Sequence, residues 1–144
     1  RKVKIVLRGD RQDESTYSNK YSPTLPYDLL RIILAECVQS KRHSVFLDIS
    51  TAYLNAEIDH DIYVEFPAVI EENKPTVTLC EKVVHKVKRA IYGLKQSGRL
   101  WYQRLTNFLT SIGFKRREDI PCVLIKPMKG NPKKDFNYCW FLRG

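Results

Sequence analysis

Long apolar runs are missing from these 144 residues. Stretches such as Ile32-Ile33-Leu34-Ala35 fall far short of the ~20 apolar residues that span a bilayer, so no membrane partner is expected. A secretory signal and a targeting tag are absent too. The chain opens at Arg1 instead of Met, as a piece cut from something longer would. Cysteine is scarce and scattered: Cys37, Cys80, Cys122 and Cys139 form no C-x-x-C pair. Without secretory context they read as thiols of a reducing, intracellular (cytoplasmic) compartment and not as a disulfide framework. His43, His60 and His85 add no ligand spacing, which argues against a zinc site.

What is present suits a packed soluble protein. Hydrophobic residues make up 43% and charged residues 28%, enough for one core in one domain or in part of a larger one. The net charge of +9 is unevenly placed. From Thr51 to Glu81 a single base, Lys74, faces seven acids, a net −6; from Lys82 to Lys134 fourteen bases face Glu118 and Asp119, a net +12. Such a one-ended excess, interleaved with Tyr92, Trp101, Tyr102 and Phe114, suits a polyanionic partner. A solvated basic face without a ligand fits the same pattern.

The centre of the chain is Val45 to Asn55. Val45-Phe46-Leu47 reads as a strand buried on both faces, with Asp48 at its exit and a helix-like turn at Ser50–Tyr53. An ionised Asp buried there without a partner would cost several kcal/mol, so the position suggests a bound cation. Alternatively Asp48 merely caps a short helix beginning at Ile49. Tyr53 lies close enough in sequence to shape the same pocket.

Around this centre the pattern alternates. Arg1–Arg8 predicts a strand with Val3, Ile5 and Leu7 on one face, and Arg11–Ser22 a loop. Tyr27–Ser40 predicts an amphipathic helix with Thr24 as N-cap. Asp61–Phe66 predicts a strand stopped by Pro67, and Glu71–Pro75 a turn. Thr76–Cys80 and Val83–Val87 predict a hairpin. Ser97–Ile112 predicts a second helix, with Ser97 as N-cap and Gly113 as the residue that closes it. Gly93 and Gly98 just before it permit close backbone approach. Lys95, Gln96 and Arg99 then cluster at a helix N-terminus, where N–H groups and the dipole attract phosphate; equally, Lys95 and Arg99 are ordinary surface bases. Cys122–Lys126 and Phe136–Leu142 predict a hairpin joined through Gly130-Asn131-Pro132.

In order along the chain, Arg8-Gly9-Asp10 with Gln12, Tyr21–Thr24 (YSPT), Leu47–Asn55 (LDISTAYLN) with Ile62–Pro67 (IYVEFP), and Ile91–Ser97 (IYGLKQS) with Arg99–Tyr102 and Gly113-Phe114 resemble the reverse transcriptase domain of copia-type long-terminal-repeat retrotransposons. The resemblance covers nearly the whole chain. It implies an α+β fingers/palm fold over residues 1–144, with a small, mainly antiparallel sheet packed on two longer helices, and with the thumb and last palm hairpin missing. It implies that Asp48 and the Ile49 carbonyl are ligands in a site for two Mg²⁺ ions, with Asp48 catalytic. Tyr53 would exclude a 2′-hydroxyl beneath the nucleotide sugar. Gln96, Lys95 and Lys2 or Lys4 would contact the incoming dNTP, and Arg89, Arg99 and Arg104 the nucleic acid. The implied partners are an RNA/DNA primer-template, dNTP and the rest of a Pol polyprotein, working in the cytoplasm inside a virus-like particle.

One departure weighs against activity. The family's aromatic-x-Asp-Asp turn supplies the other metal carboxylates, and this chain contains no Asp-Asp pair. Asp59, Asp61 and Asp135 do not substitute by pattern. The expectation is therefore a fragment of an RNA-directed DNA polymerase, inactive alone. The alternatives are a non-catalytic nucleic-acid-binding fragment and a pseudogene product.

Overall fold

The computed structural model describes residues 4–65, 84–127 and 136–140. Among these residues, two helices and two small antiparallel sheets make a mixed α+β structure, as the pattern predicts. None of its helices is long and apolar enough to cross a membrane, among the described residues.

Helix α1 spans Tyr27–Gln39. Its apolar stripe buries Ile33 and Cys37 against Leu25, Cys122 and Val123, with Leu29, Leu30, Ile120 and Ile125 closing round them. Pro26, not Thr24, holds the N-cap, and its carbonyl accepts the Leu30 N–H at 3.0 Å. A proline's fixed φ suits that entry, and the N–H it lacks would have no helical partner there. At the other end the Arg42 N–H reaches the Cys37 carbonyl and the Lys41 N–H that of Val38. This paired closure puts Lys41 at φ 53, in the left-handed region.

Helix α2 spans Ser97–Ser111, burying Leu100, Thr106 and Leu109. Gly113, at φ 96, closes it as expected: its N–H donates to Thr110 and the next, on Phe114, to Leu109. The Lys126 ammonium caps a further end carbonyl, that of Ile112, at 2.6 Å. Ser97 is not the N-cap. It is the first helical residue, and its hydroxyl donates to the Ile91 carbonyl at 2.6 Å, while Gln96 stands at the cap.

Strands β1 (Tyr63–Glu65) and β2 (Val84–Lys86) pair antiparallel with Val64 opposite His85. The expected strand at Asp61–Phe66 is thus found, paired with β2, for which the sequence pattern predicts a hairpin with Thr76–Cys80. That segment, with the turn at Glu71–Pro75, lies outside the described residues. The second sheet has the order β3-β4-β5: β3 (Lys115–Arg116), β4 (Val123–Pro127) and β5 (Phe136–Trp140), all antiparallel. The hairpin of β4 and β5 follows the sequence pattern; its turn at Gly130–Pro132 lies outside the described residues. β4 carries the core cluster under α1, and Tyr102 of α2 donates to the Pro121 carbonyl at 2.7 Å.

Two expected strands do not form among the described residues. Residues 4–8 form no strand, and Arg1–Val3 lie outside the described residues. The Leu7 N–H meets the Tyr92 carbonyl at 2.8 Å, one bond and not a ladder. Val45-Phe46-Leu47 is irregular and open to solvent, its residues 76%, 71% and 87% exposed. An apolar run becomes a strand only when another segment supplies a ladder, and no strand among the described residues does so here.

Candidate functional site

Residues 4–17 lie as a strap across the loop that leads into α2. The Leu7 contact anchors it, and two glycines allow it. A Cβ on Gly93 (φ 99) would collide with the Leu7 carbonyl oxygen, and one on Gly9 with the Gly93 carbonyl. Beyond Gly9 the strap makes two 3-10 turns, Gly9–Arg11 and Glu14–Thr16, the second capped by the Asp13 carboxylate accepting from the Ser15 N–H at 2.8 Å.

Under one end of the strap lies an aromatic pair. The 3-10 turn Ala52–Asn55 presents Tyr53, which packs on Ala56, Ala90 and Leu100. Its ring centroid is 4.5 Å from that of Tyr92, with the planes at 46°. The Lys4 ammonium sits 3.5 Å from the centroid of the Tyr92 ring, a cation–π contact. Tyr92 therefore joins two predicted site residues, Lys4 and Tyr53, that are far apart in sequence. Lys2 lies outside the described residues.

Under the other end lies a polar network. Gln96 is fully buried. Its Oε1 accepts from Gln12 Nε2 at 2.7 Å and its Nε2 donates to the Thr16 carbonyl at 2.9 Å. Gln12 Nε2 also donates to Thr16 Oγ1, and its Oε1 accepts the Lys95 backbone N–H at 2.9 Å. The Lys95 ammonium donates to the Tyr17 hydroxyl at 3.0 Å, a hydrogen bond that raises its pKa. In this conformation Gln96 is closed to a ligand, and the start of α2 is covered by Gln12 and Thr16.

The predicted nucleic-acid contacts divide. Arg99 faces inward, 13% exposed: its Nε donates to the Asn19 carbonyl at 2.8 Å, and its guanidinium pairs with Asp59. Burial pushes the Asp59 carboxyl up, but the His60 hydrogen bond and the Arg99 charge outweigh it and hold the group below the usual carboxylate range. Arg89 pairs with Glu57 at 3.4 Å beside the bridge joining their backbones. Arg104 is exposed on α2.

Asp48 is exposed on irregular backbone, with Ile49 42% exposed beside it. The turn it was expected to cap begins only at Ala52, behind Thr51 in the left-handed region at φ 52, so the capping alternative fails as well. No group of three His, Cys, Asp or Glu side chains is gathered as a metal site requires, among the described residues. Among the described residues, the donor set does not fit a pair of divalent ions.

Sequence reasoning passed over Tyr92, Gln12 and Asp59 as site residues. Gly93 was the available signal for the first two: a glycine kept for close approach implies a segment lying against it.

Residues 1–132 match the family described as reverse transcriptase (RNA-dependent DNA polymerase). The Retrovirus-related Pol polyprotein from transposon RE1 of Arabidopsis thaliana is 32% identical over 115 residues, 78% of this chain and 7% of its own length. The Transposon Ty1-BL Gag-Pol polyprotein of Saccharomyces cerevisiae is 35% identical over 109 residues, 75% of this chain and 6% of its own. The Retrovirus-related Pol polyprotein from transposon TNT 1-94 of Nicotiana tabacum is 28% identical over 131 residues, 90% of this chain and 10% of its own. No solved structure matches. The chain thus spans a tenth or less of these relatives. With the family matched across nearly its whole length, it belongs to the reverse transcriptases, as a segment of the domain found in copia-type Pol polyproteins.

Proposed function

We propose that residues 1–144 are fingers and part of the palm of an RNA-directed DNA polymerase, derived from a copia-type Pol polyprotein, and that they do not extend a primer by themselves. The observation that carries the first half is the meeting of Lys4, Tyr92 and Tyr53 under the strap. A fold-back from the amino-terminal segment brings an ammonium and an aromatic wall together, the chemistry that a nucleotide's phosphates and sugar call for. Lys95, at the other end of the same strap, adds a second ammonium.

The second half rests on the donor set. Two divalent ions need several carboxylates, and Asp48 with the Ile49 carbonyl supplies one acidic side chain. Primer extension on an RNA template, with dNTPs and Mg²⁺ or Mn²⁺, is expected to give no product above the no-protein control. Incorporation that Asp48→Ala abolishes would overturn this.

Arg104, Lys115 and Arg116 are exposed on α2 and β3. A fragment holding primer-template without chemistry would use such bases, and its affinity would fall steeply with salt.

A further inference from the structure

We propose that residues 10–17 of the strap are a latch: closed, they occupy both hydrogen-bonding atoms of the Gln96 amide, and a nucleotide reaches that amide only when the latch opens. The inference rests on the nucleotide-site reading above and gives that site a gate.

What the latch covers is sealed, while the latch itself is not. Gln96 and Ser97 are fully buried, and Leu94 beside them is buried too. Among residues 4–24, by contrast, none is buried, and neither 3-10 turn contributes a buried side chain. Four hydrogen bonds cross to the start of α2. Gln12 donates to Gln96 Oε1 and accepts the Lys95 N–H, Gln96 Nε2 donates to the Thr16 carbonyl, and the Lys95 ammonium donates to the Tyr17 hydroxyl. A segment held by polar bonds without apolar burial opens at a fraction of the free energy of global unfolding, because water replaces the bonds it gives up.

An anchor stands on each side of the latch. Before it, the Leu7 N–H meets the Tyr92 carbonyl and Gly9 lies against Gly93. After it, the Asn19 carbonyl accepts from Arg99 Nε at 2.8 Å. The middle can therefore lift while both ends stay docked and Lys4 keeps its place over Tyr92.

The closed contacts also imitate a ligand. A primary amide offers one oxygen acceptor and two N–H donors. Gln12 Nε2 takes the oxygen, as a sugar hydroxyl would, and the Thr16 carbonyl takes an N–H, as a sugar or phosphate oxygen would. Latch and nucleotide thus compete for the same atoms. A ligand that binds only the open state has its apparent affinity reduced by the fraction of molecules that are open.

The test is NMR titration of the 144-residue chain with dATP in the presence of Mg²⁺, using the native chain, Gln12→Ala and Tyr17→Phe, together with hydrogen exchange in low urea. A side chain that merely supported the site would weaken binding when removed; a latch residue strengthens it. Gln12→Ala is expected to bind dATP at least about tenfold more tightly than the native chain, and Tyr17→Phe, which releases the Lys95 ammonium, about threefold more tightly. In the native chain without nucleotide, the Lys95 amide proton exchanges through local opening, at a rate nearly independent of urea, whereas the amide of buried Leu109 in α2 follows global unfolding. If Gln12→Ala loses its dispersed amide spectrum, Tyr17→Phe decides the question by the same sign. A native chain that binds dATP as tightly as the deciding variant, or more tightly, overturns the latch alone. So does a Lys95 amide that exchanges only in step with Leu109. Failure of all three chains to bind dATP defeats the nucleotide-site reading and this proposal with it.

Discussion

At the scale of single residues, the polar network under the strap shows how much hangs on one side chain. Gln12 satisfies the Oε1 of fully buried Gln96, the backbone N–H of Lys95 and the hydroxyl of Thr16 at once. Gln12→Ala leaves a buried acceptor and a part-buried donor without partners, where an unsatisfied group forfeits its hydration. The expected loss is about 2 kcal/mol of unfolding free energy, read by urea titration followed by circular dichroism. A change under about 0.5 kcal/mol would mean that water replaces the amide and that the strap is not held there. Gln12 could be seen in sequence only as part of a family motif. Its partners Lys95 and Gln96 are more than eighty positions away, and no periodicity links them to it.

At the scale of elements, both helices end with the same pair of backbone bonds but with different residues at the left-handed position. Gly113 closes α2 and Lys41 closes α1. A residue with a Cβ pays for that conformation through contact with the following carbonyl. Lys41→Gly should therefore raise stability by about 1 kcal/mol, seen as a higher urea midpoint with an unchanged slope. A lower midpoint would show that the lysine side chain contributes more than its backbone costs. The helices were legible because their information is local: stripes at three and four, a proline at the entry of α1, a glycine at the exit of α2. The strand at Val45–Leu47 was not. Its apolar character is plain in the sequence, yet strand formation needs a ladder from elsewhere, and apolarity specifies no partner.

Over the whole molecule, the charge asymmetry of the sequence is folded partly onto itself. Glu57 pairs with Arg89, Asp59 with Arg99 and Asp61 with Lys86, so acids of the negative segment meet bases of the positive one. The exposed pairs contribute little and are screened by salt. Asp59 is different, because Arg99 is largely buried and also holds the Asn19 carbonyl. Its carboxyl lies below the usual range when folded, so the unfolded chain binds a proton before the folded one does. The stabilisation is full above the ordinary carboxylate pKa and is lost as pH falls through the depressed one. Native protein should therefore lose more stability than Asp59→Asn between pH 6 and the acid limit of folding. Melting temperatures of the two chains measured across that range check this; parallel curves would show that the pair does not stabilise the fold.

The order of residues alone determined the helices, the β4–β5 hairpin, the family and the carboxylate that stands without an Asp-Asp pair. Each of these is written in near neighbours or in collinear motifs. Tertiary structure decided that Lys4 reaches Tyr92, that Gln96 is buried under Gln12, that Arg99 turns inward to Asp59, and that Val45–Leu47 stays uncovered. Those outcomes depend on which distant segments pack together, a choice made by shape and by the pairing of buried polar groups, and neither is encoded in spacing.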